Sequence, residues 1–190
     1  MEKTEASTHH YVIDARRGRF TVQAFAGGLL SAFAHNPKFA IRGISSDIRL
    51  DPEDLRAAAL RMEIRADSLE LLDQVNDKDR REIEHVTRDD VLETATYPTI
   101  VFESTSVSAT RTADGQYSVG LEGDLSLHGV TRRLKVPARI AFTGDTLRAR
   151  GEFSLKQTDY RIKLVAVAGG AIKAKDGLKF SFDLVARKQE

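Results

Sequence analysis

The stretch YSVGLEGDLSLHGVTRRLKVPARIAF, residues 117–142, decides the fold. In its first half the odd positions are Tyr117, Val119, Leu121, Gly123, Leu125 and Leu127. The even positions are Ser118, Gly120, Glu122, Asp124, Ser126 and His128. Strict alternation puts apolar side chains on one face of an extended strand and polar ones on the other. After the link Gly129-Val130-Thr131-Arg132, the apolar phase restarts on Leu134, Val136, Ala138, Ile140 and Phe142, with Arg133, Lys135, Pro137 and Arg139 between them. Two long antiparallel strands joined by a tight glycine-containing connection follow from this pattern. One continuous apolar face opposite a charged face means that this sheet covers something on one side only.

Working outward, the same alternation recurs on both sides. Tyr11-Val12-Ile13 open a short strand that Asp14 to Gly18 turn over, and Phe20, Val22 and Ala24 alternate with Arg19, Thr21 and Gln23. Residues 25–35 alternate poorly and must bend at Gly27-Gly28, as a short helix or a wide loop at a barrel mouth. Phe39 and Ile41 resume a strand whose phase shifts after Gly43 to Ile44, Ile48 and Leu50, the mark of a bulge or a break. Asp51-Pro52-Glu53-Asp54 is a turn or a helix start, before Leu60, Met62, Ile64 and Ala66 alternate again. Residues 73–94 form the one convincing helical stretch, strongly charged, with Ile83, Val86, Val91 and Leu92 as a narrow stripe. Such a helix lies over the sheet or over one end of it, and Tyr97-Pro98 stops it.

A strand from Ile100 to about Ala109, a turn at Ala113-Asp114-Gly115, and a strand carrying Leu147 to Leu155 flank the organising pair. A long irregular excursion from Gln157 to Asp176 precedes the last strand, with Leu178, Phe180, Phe182 and Leu184 inward. Eight or nine one-sided strands satisfy either a two-sheet sandwich or a closed barrel. Eight closed strands leave room for packed side chains or for one slim ligand. The small inward residues Ala24, Ala66, Gly123, Ala138, Ala149 and Gly151 favour the hollow version.

A chain of 190 residues suits one domain and buries roughly 70% of its unfolded surface, so no covalent staple is needed. It has no cysteine, which removes disulfides, thiolate metal sites and a thiol nucleophile. Twenty-nine basic and 28 acidic residues give a net charge of +1, too balanced for a nucleic-acid partner. Residues 1–10 read as a disordered tail ahead of a single domain at 11–188. No run approaches the ~18 apolar residues of a membrane span. Met1 reads as a native start, so the expected location is the cytoplasm, or the periplasm if a leader has been removed.

No phosphate-cradling loop, HExxH or GxSxG is present, and the two Gly-Gly pairs lack a strand-to-helix context. His35, His85 and His128 lie far apart without ligand spacing, and the acidic residues of the helix alternate with Lys78, Arg80 and Arg81 as on a solvated face. His128 ends a strand on its polar side, where a hydrogen bond stabilising the turn accounts for it.

The blocks at residues 11–14, 97–104 and 123–131 (YVID, YPTIVFES and GDLSLHGVT), taken in order, resemble those of the YceI family of lipocalin-like polyisoprenoid-binding proteins. Tyr11-Val12-Ile13-Asp14 resembles its opening block, and Tyr97-Pro98-Thr99-Ile100-Val101-Phe102-Glu103-Ser104 a central one. Most specific is Gly123-Asp124-Leu125-Ser126-Leu127-His128-Gly129-Val130-Thr131. The resemblance covers residues 11 to 188, while Ser31 to Pro37 departs from the common form. It implies an all-β fold, an antiparallel eight-stranded lipocalin-like barrel with one inserted α-helix and an apolar tunnel, binding an isoprenoid lipid (a polyprenyl chain or isoprenoid quinone) without catalysis or cofactor.

On that expectation the ligand-lining residues are Phe20, Val22, Phe33, Phe39, Ile41, Phe102, Tyr117, Leu125, Val136, Phe153, Phe180 and Phe182. One alternative is a histidine-dependent metal protein or enzyme using His35, His85 and His128 at the barrel mouth. Another is a filled barrel devoted to protein contact. The oligomeric state, a homodimer included, is left open by the sequence.

Overall fold

The computed structural model describes residues 8–28 and 36–190. Along them run β1 (His9–Ile13), β2 (Arg19–Gln23), β3 (Ala26–Gly27), β4 (Lys38–Ile41), β5 (Ile44–Asp51), β6 (Asp54–Arg65) and β7 (Leu69–Leu71). Helix α1 (Asp77–His85) follows, and then β8 (Thr99–Ala113), β9 (Gln116–Leu127), β10 (Val130–Thr143) and β11 (Thr146–Lys156). The chain ends with β12 (Ala166–Val167), β13 (Ile172–Ala174) and β14 (Gly177–Lys188).

The expected pair of long strands is β9 and β10, in register from Val130 opposite Leu127 to Ala141 opposite Gln116. Their connection is shorter than the sequence suggests. Thr131 and Arg132 already pair with Ser126 and Leu125, which leaves His128-Gly129 as a two-residue turn. Both residues have positive φ, 51° and 72°, the type I′ geometry whose twist matches that of the flanking strands.

The sheet closes. β1, β5, β6, β8, β9, β10, β11 and β14 pair in that order, and β14 returns to β1, giving an eight-stranded antiparallel barrel. Three of its staves are interrupted. β1 and β2 both run antiparallel to β14, with Ile13 opposite Ala186 and Arg19 opposite Asp183. Asp14 to Gly18 does turn, with the Arg17 amide on the Asp14 carbonyl at 3.0 Å, but as a bulge in one continuing stave and not as a reversal between two strands. Gly18 allows it, because a Cβ there would stand 2.8 Å from the Asp183 carbonyl. β4 and β5 break at Arg42-Gly43, where the apolar phase shifts, and β6 and β7 at a 3₁₀ turn, Ala66–Ser68.

Strand β1 starts at His9, so His9 and His10 are strand residues and not the end of a tail. Residues 51–54 form the β5–β6 turn, not a helix start. β8 runs to Ala113, four residues past its expected end, because it pairs with β9 almost to the turn.

The barrel has two unlike ends. At one, the short turns after β8 and β10 surround a packed plug of Tyr11, Tyr117 and Phe142, whose rings meet edge to face at 6.1–6.3 Å. The other end carries α1, the chain to β8, and the excursion between β11 and β14. Helix α1 is capped by Asn76, whose side chain accepts from the Asp79 amide at 2.9 Å. It continues as one π-helical turn over Val86–Val91 and ends there, shorter than residues 73–94. Arg80 ties it to β7 by donating to the Leu71 and Asp73 carbonyls, at 2.7 and 2.9 Å. No helix among the described residues is long and apolar enough to cross a membrane.

Candidate ligand cavity

Inward positions from all eight staves enclose a cavity of about 240 Å³. It extends from Leu50, Leu55 and Leu147 above the plug to Leu155, Gln157 and Ile162 near the loop-rich end. Along β11, from Leu147 to Leu155, that is eight residue steps, on the order of 27 Å of strand. Among the described residues, every one that lines it is apolar except Gln157. Its carboxamide Nε2 donates to the Lys175 carbonyl at 2.9 Å, so even this group is satisfied within the wall.

The aromatic wall is organised. Phe153 and Phe180 stack with centroids 4.7 Å apart and planes at 4°, and Phe20 meets Phe153, Phe180 and Phe182 at 6.1–6.5 Å. Two glycines make room for rings. A Cβ on Gly123 would stand 2.5 Å from the Phe102 ring, and one on Gly151 2.5 Å from the Phe182 ring. The small inward residues therefore act differently from the simple hollow reading. Ala138 and Ala149 line the void, Gly123 and Gly151 are notches that seat phenylalanines, and Ala24 and Ala66 lie outside the lining.

Of the residues nominated from strand phase, Phe20, Val22, Ile41, Phe102, Leu125, Val136, Phe153, Phe180 and Phe182 line this cavity. Phe39 and Tyr117 do not. Phe39 is buried in the β2–β4–β7 extension opposite Val22 and Leu71. Tyr117 belongs to the plug, where its hydroxyl donates to the Pro52 carbonyl at 2.9 Å. Phe33 and His35 lie outside the described residues. Sequence reasoning missed Val91, Leu92, Gln157 and Ile162, which come from the helix end and the irregular excursion and carry no period-two signal.

The two remaining candidate histidines do separate things. His85 is exposed and sits on Asp89, with Nδ1 2.5 Å from the carboxylate. His128 is buried, not on a wet face as its even position suggests, because the left-handed turn rotates its side chain off the alternating pattern. Its Nε2 lies 2.6 Å from the Glu93 carboxylate, and its ring packs on Tyr97 at 4.4 Å. Its Nδ1 donates to the Tyr160 carbonyl at 3.2 Å, since a carbonyl oxygen can only accept. Among the described residues no three His, Asp or Glu side chains gather as a metal site would require.

The YceI-like domain model matches residues 6–186, nearly the full length. The chain belongs to the YceI-like family. No curated protein is matched by the sequence. Solved structures with the same fold include BcnA of Burkholderia cenocepacia, at 18% identity and a TM-score of 0.68, over 91% of this chain and 98% of that one. A polyisoprenoid-binding domain from Saccharophagus degradans, implicated in plant cell wall breakdown, aligns at 13% identity and 0.66, over 94% and 98%. A YceI protein of Campylobacter jejuni aligns at 16% and 0.60, over 83% and 88%. In this YceI-like domain, the matched hairpin signature places His128 in the turn and Leu125 and Leu127 in the cavity wall.

Proposed function

We propose that this YceI-like domain binds and carries a linear isoprenoid lipid in the barrel cavity, acting by sequestration and not by catalysis. One observation carries the reading: a long cavity whose described lining is apolar along its whole length, with one satisfied carboxamide, that of Gln157, at one end. A carboxamide neither titrates nor attacks, so the wall suits a chain that is held, not converted. The polyisoprenoid-binding relative of the same fold supports the choice of chain.

Magnitudes point the same way. At about 24 cal/mol per Å³, a void of about 240 Å³ left empty costs on the order of 6 kcal/mol. That is comparable to the whole stability of many domains, about 5–15 kcal/mol. Each buried isoprene unit contributes about 4 kcal/mol at ~0.8 per carbon group. After an association cost of several kcal/mol, about three units reach roughly micromolar affinity. Tunnel length and width then select the chain, while groups at the loop-rich end meet the head.

The experiment is organic extraction of the purified protein with mass spectrometry of the extract, repeated after incubation with mixed prenyl alcohols and isoprenoid quinones. Stoichiometric recovery of a prenyl chain is expected. A clean extract in both arms removes the carrier reading.

A further inference from the structure

The excursion between β11 and β14 adds Gln157 and Ile162 to the cavity wall and also carries an apolar tip. Residues 164–172, Leu164-Val165-Ala166-Val167-Ala168-Gly169-Gly170-Ala171-Ile172, contain no polar side chain, and Lys163, Lys173 and Lys175 bracket them. The tip is built into the fold. β12 pairs with β13 and β13 with β3, the Ala174 amide donates to the Val165 carbonyl at 2.8 Å, and the Lys175 amide to Phe25 at 2.7 Å. Leu164, two residues before β12 and so outside this sheet, is 38% exposed. The other exposed large apolar residue among those described is Leu72, at 42%. It lies at the same end of the barrel, with its amide on the Lys38 carbonyl at 2.8 Å.

Charge says what this tip fits. From Lys156 to Asp176 there are five cations and two carboxylates. The Asp176 carboxylate is occupied by the Thr158 amide and hydroxyl, at 2.8 and 2.7 Å. None of the five cations forms an ion pair with a described residue. We propose that the lysine-flanked apolar tip at residues 163–175 docks this domain on an anionic lipid surface. Leu164 and its neighbours enter the acyl boundary while the lysine ammonium groups meet lipid phosphates. Ile162, one residue before Lys163, lines the cavity, so docking turns the loop-rich end of the barrel toward the bilayer. The interaction does not require the cavity to hold a prenyl chain.

The chain has no tryptophan, so Leu164→Trp supplies a single indole at the tip. Asp114→Trp places one at the plugged end as a control. The probe is vesicles of equimolar phosphatidylcholine and phosphatidylglycerol, free of prenyl lipid, against phosphatidylcholine alone. Blue-shifted emission is expected for Leu164→Trp with the anionic vesicles only, weakening as salt rises, and none for Asp114→Trp. Changing Lys163, Lys173 and Lys175 together to Gln weakens vesicle binding roughly 10²-fold, at about fivefold per cation. Unmoved Leu164→Trp emission overturns the proposal, as does an equal shift at both positions or undiminished binding by the triple variant. A shift that follows protein concentration without vesicles also overturns it, and makes the tip a self-association surface.

Discussion

The His128 imidazole meets the Glu93 carboxylate at 2.6 Å across 35 residues of sequence, and both residues hold left-handed backbone, with φ of 51° and 46°. Each such non-glycine conformation is tolerated only where its surroundings over-determine it. Here the ring bonds the Tyr160 carbonyl as well and lies on Tyr97. The contact clamps the chain leaving the helix to the β9–β10 turn, immediately after Val91 and Leu92, which wall the cavity.

Replacing His128 by Ala leaves the Tyr160 carbonyl and the Glu93 carboxylate without this partner. A loss of about 2–3 kcal/mol and a drop in Tm of about 5–10 °C are expected in thermal unfolding. Amide exchange over residues 86–97 should accelerate more than over β10 and β11. A Tm within one degree of the parent would show that the clamp adds nothing.

Gly151→Ala and Gly123→Ala test the notches. The added methyl meets a phenylalanine ring at 2.5 Å in both, and also a backbone carbonyl, Pro137 at 2.3 Å or Glu103 at 2.5 Å. Overpacking of this kind costs about 1–3 kcal/mol. Adding Phe182→Leu to Gly151→Ala should recover only part of the loss, since the carbonyl clash stays. Full recovery in a double-mutant cycle would place the whole conflict on the ring.

Ala149→Leu puts three more carbons into the cavity from its wall. Filling a void should raise the stability of the ligand-free protein, by at most about 2.4 kcal/mol at ~0.8 per carbon, while prenyl-chain affinity falls tenfold or more. Titration calorimetry beside thermal unfolding separates the two effects. Unchanged affinity in a stabilised variant would locate binding elsewhere.

On the outer wall, Asp183 accepts from Arg148 at 2.6 and 2.7 Å and from Arg150 at 3.1 Å, joining β11 to β14. The Arg148 hydrogen bonds hold its carboxyl below the ordinary value, with Arg150 adding to them and partial burial working against them. A depressed folded-state value adds stability above the unfolded value, about 3.9, and that stability is lost as pH falls through the folded one. Denaturant midpoints measured as pH drops below about 4 should therefore fall less steeply for Asp183→Asn than for the parent. Parallel curves would refute the linkage.

What the sequence makes legible is whatever repeats every second residue. The β9–β10 register, the inward phase of Phe20, Phe153, Phe180 and Phe182, and the break at Gly43 all follow from alternation. Closure does not, because pairing of Tyr11 with Lys188 is long-range and leaves no local mark. The turn at residues 14–18 reads as a strand reversal because local composition records a departure from the strand but not the direction in which the chain leaves. Phase alone likewise cannot separate a tunnel residue from a plug residue on the same face, which is why Tyr117 was expected in the cavity and lies beneath it.

That same closing pair has a consequence for how the polypeptide can be re-cut. The Gln189 amide reaches the His10 carbonyl at 2.8 Å, and both sit at the plugged end, a barrel's length from the tip. First and last staves lie side by side, and strand ends held as close as His10 and Gln189 favour circular permutation. A short linker joining them, with new ends opened in the turn at Gly144-Asp145, keeps all eight staves whole. The permuted order moves no residue of the wall, so the tunnel is a property of the closed ring and indifferent to where the chain starts counting.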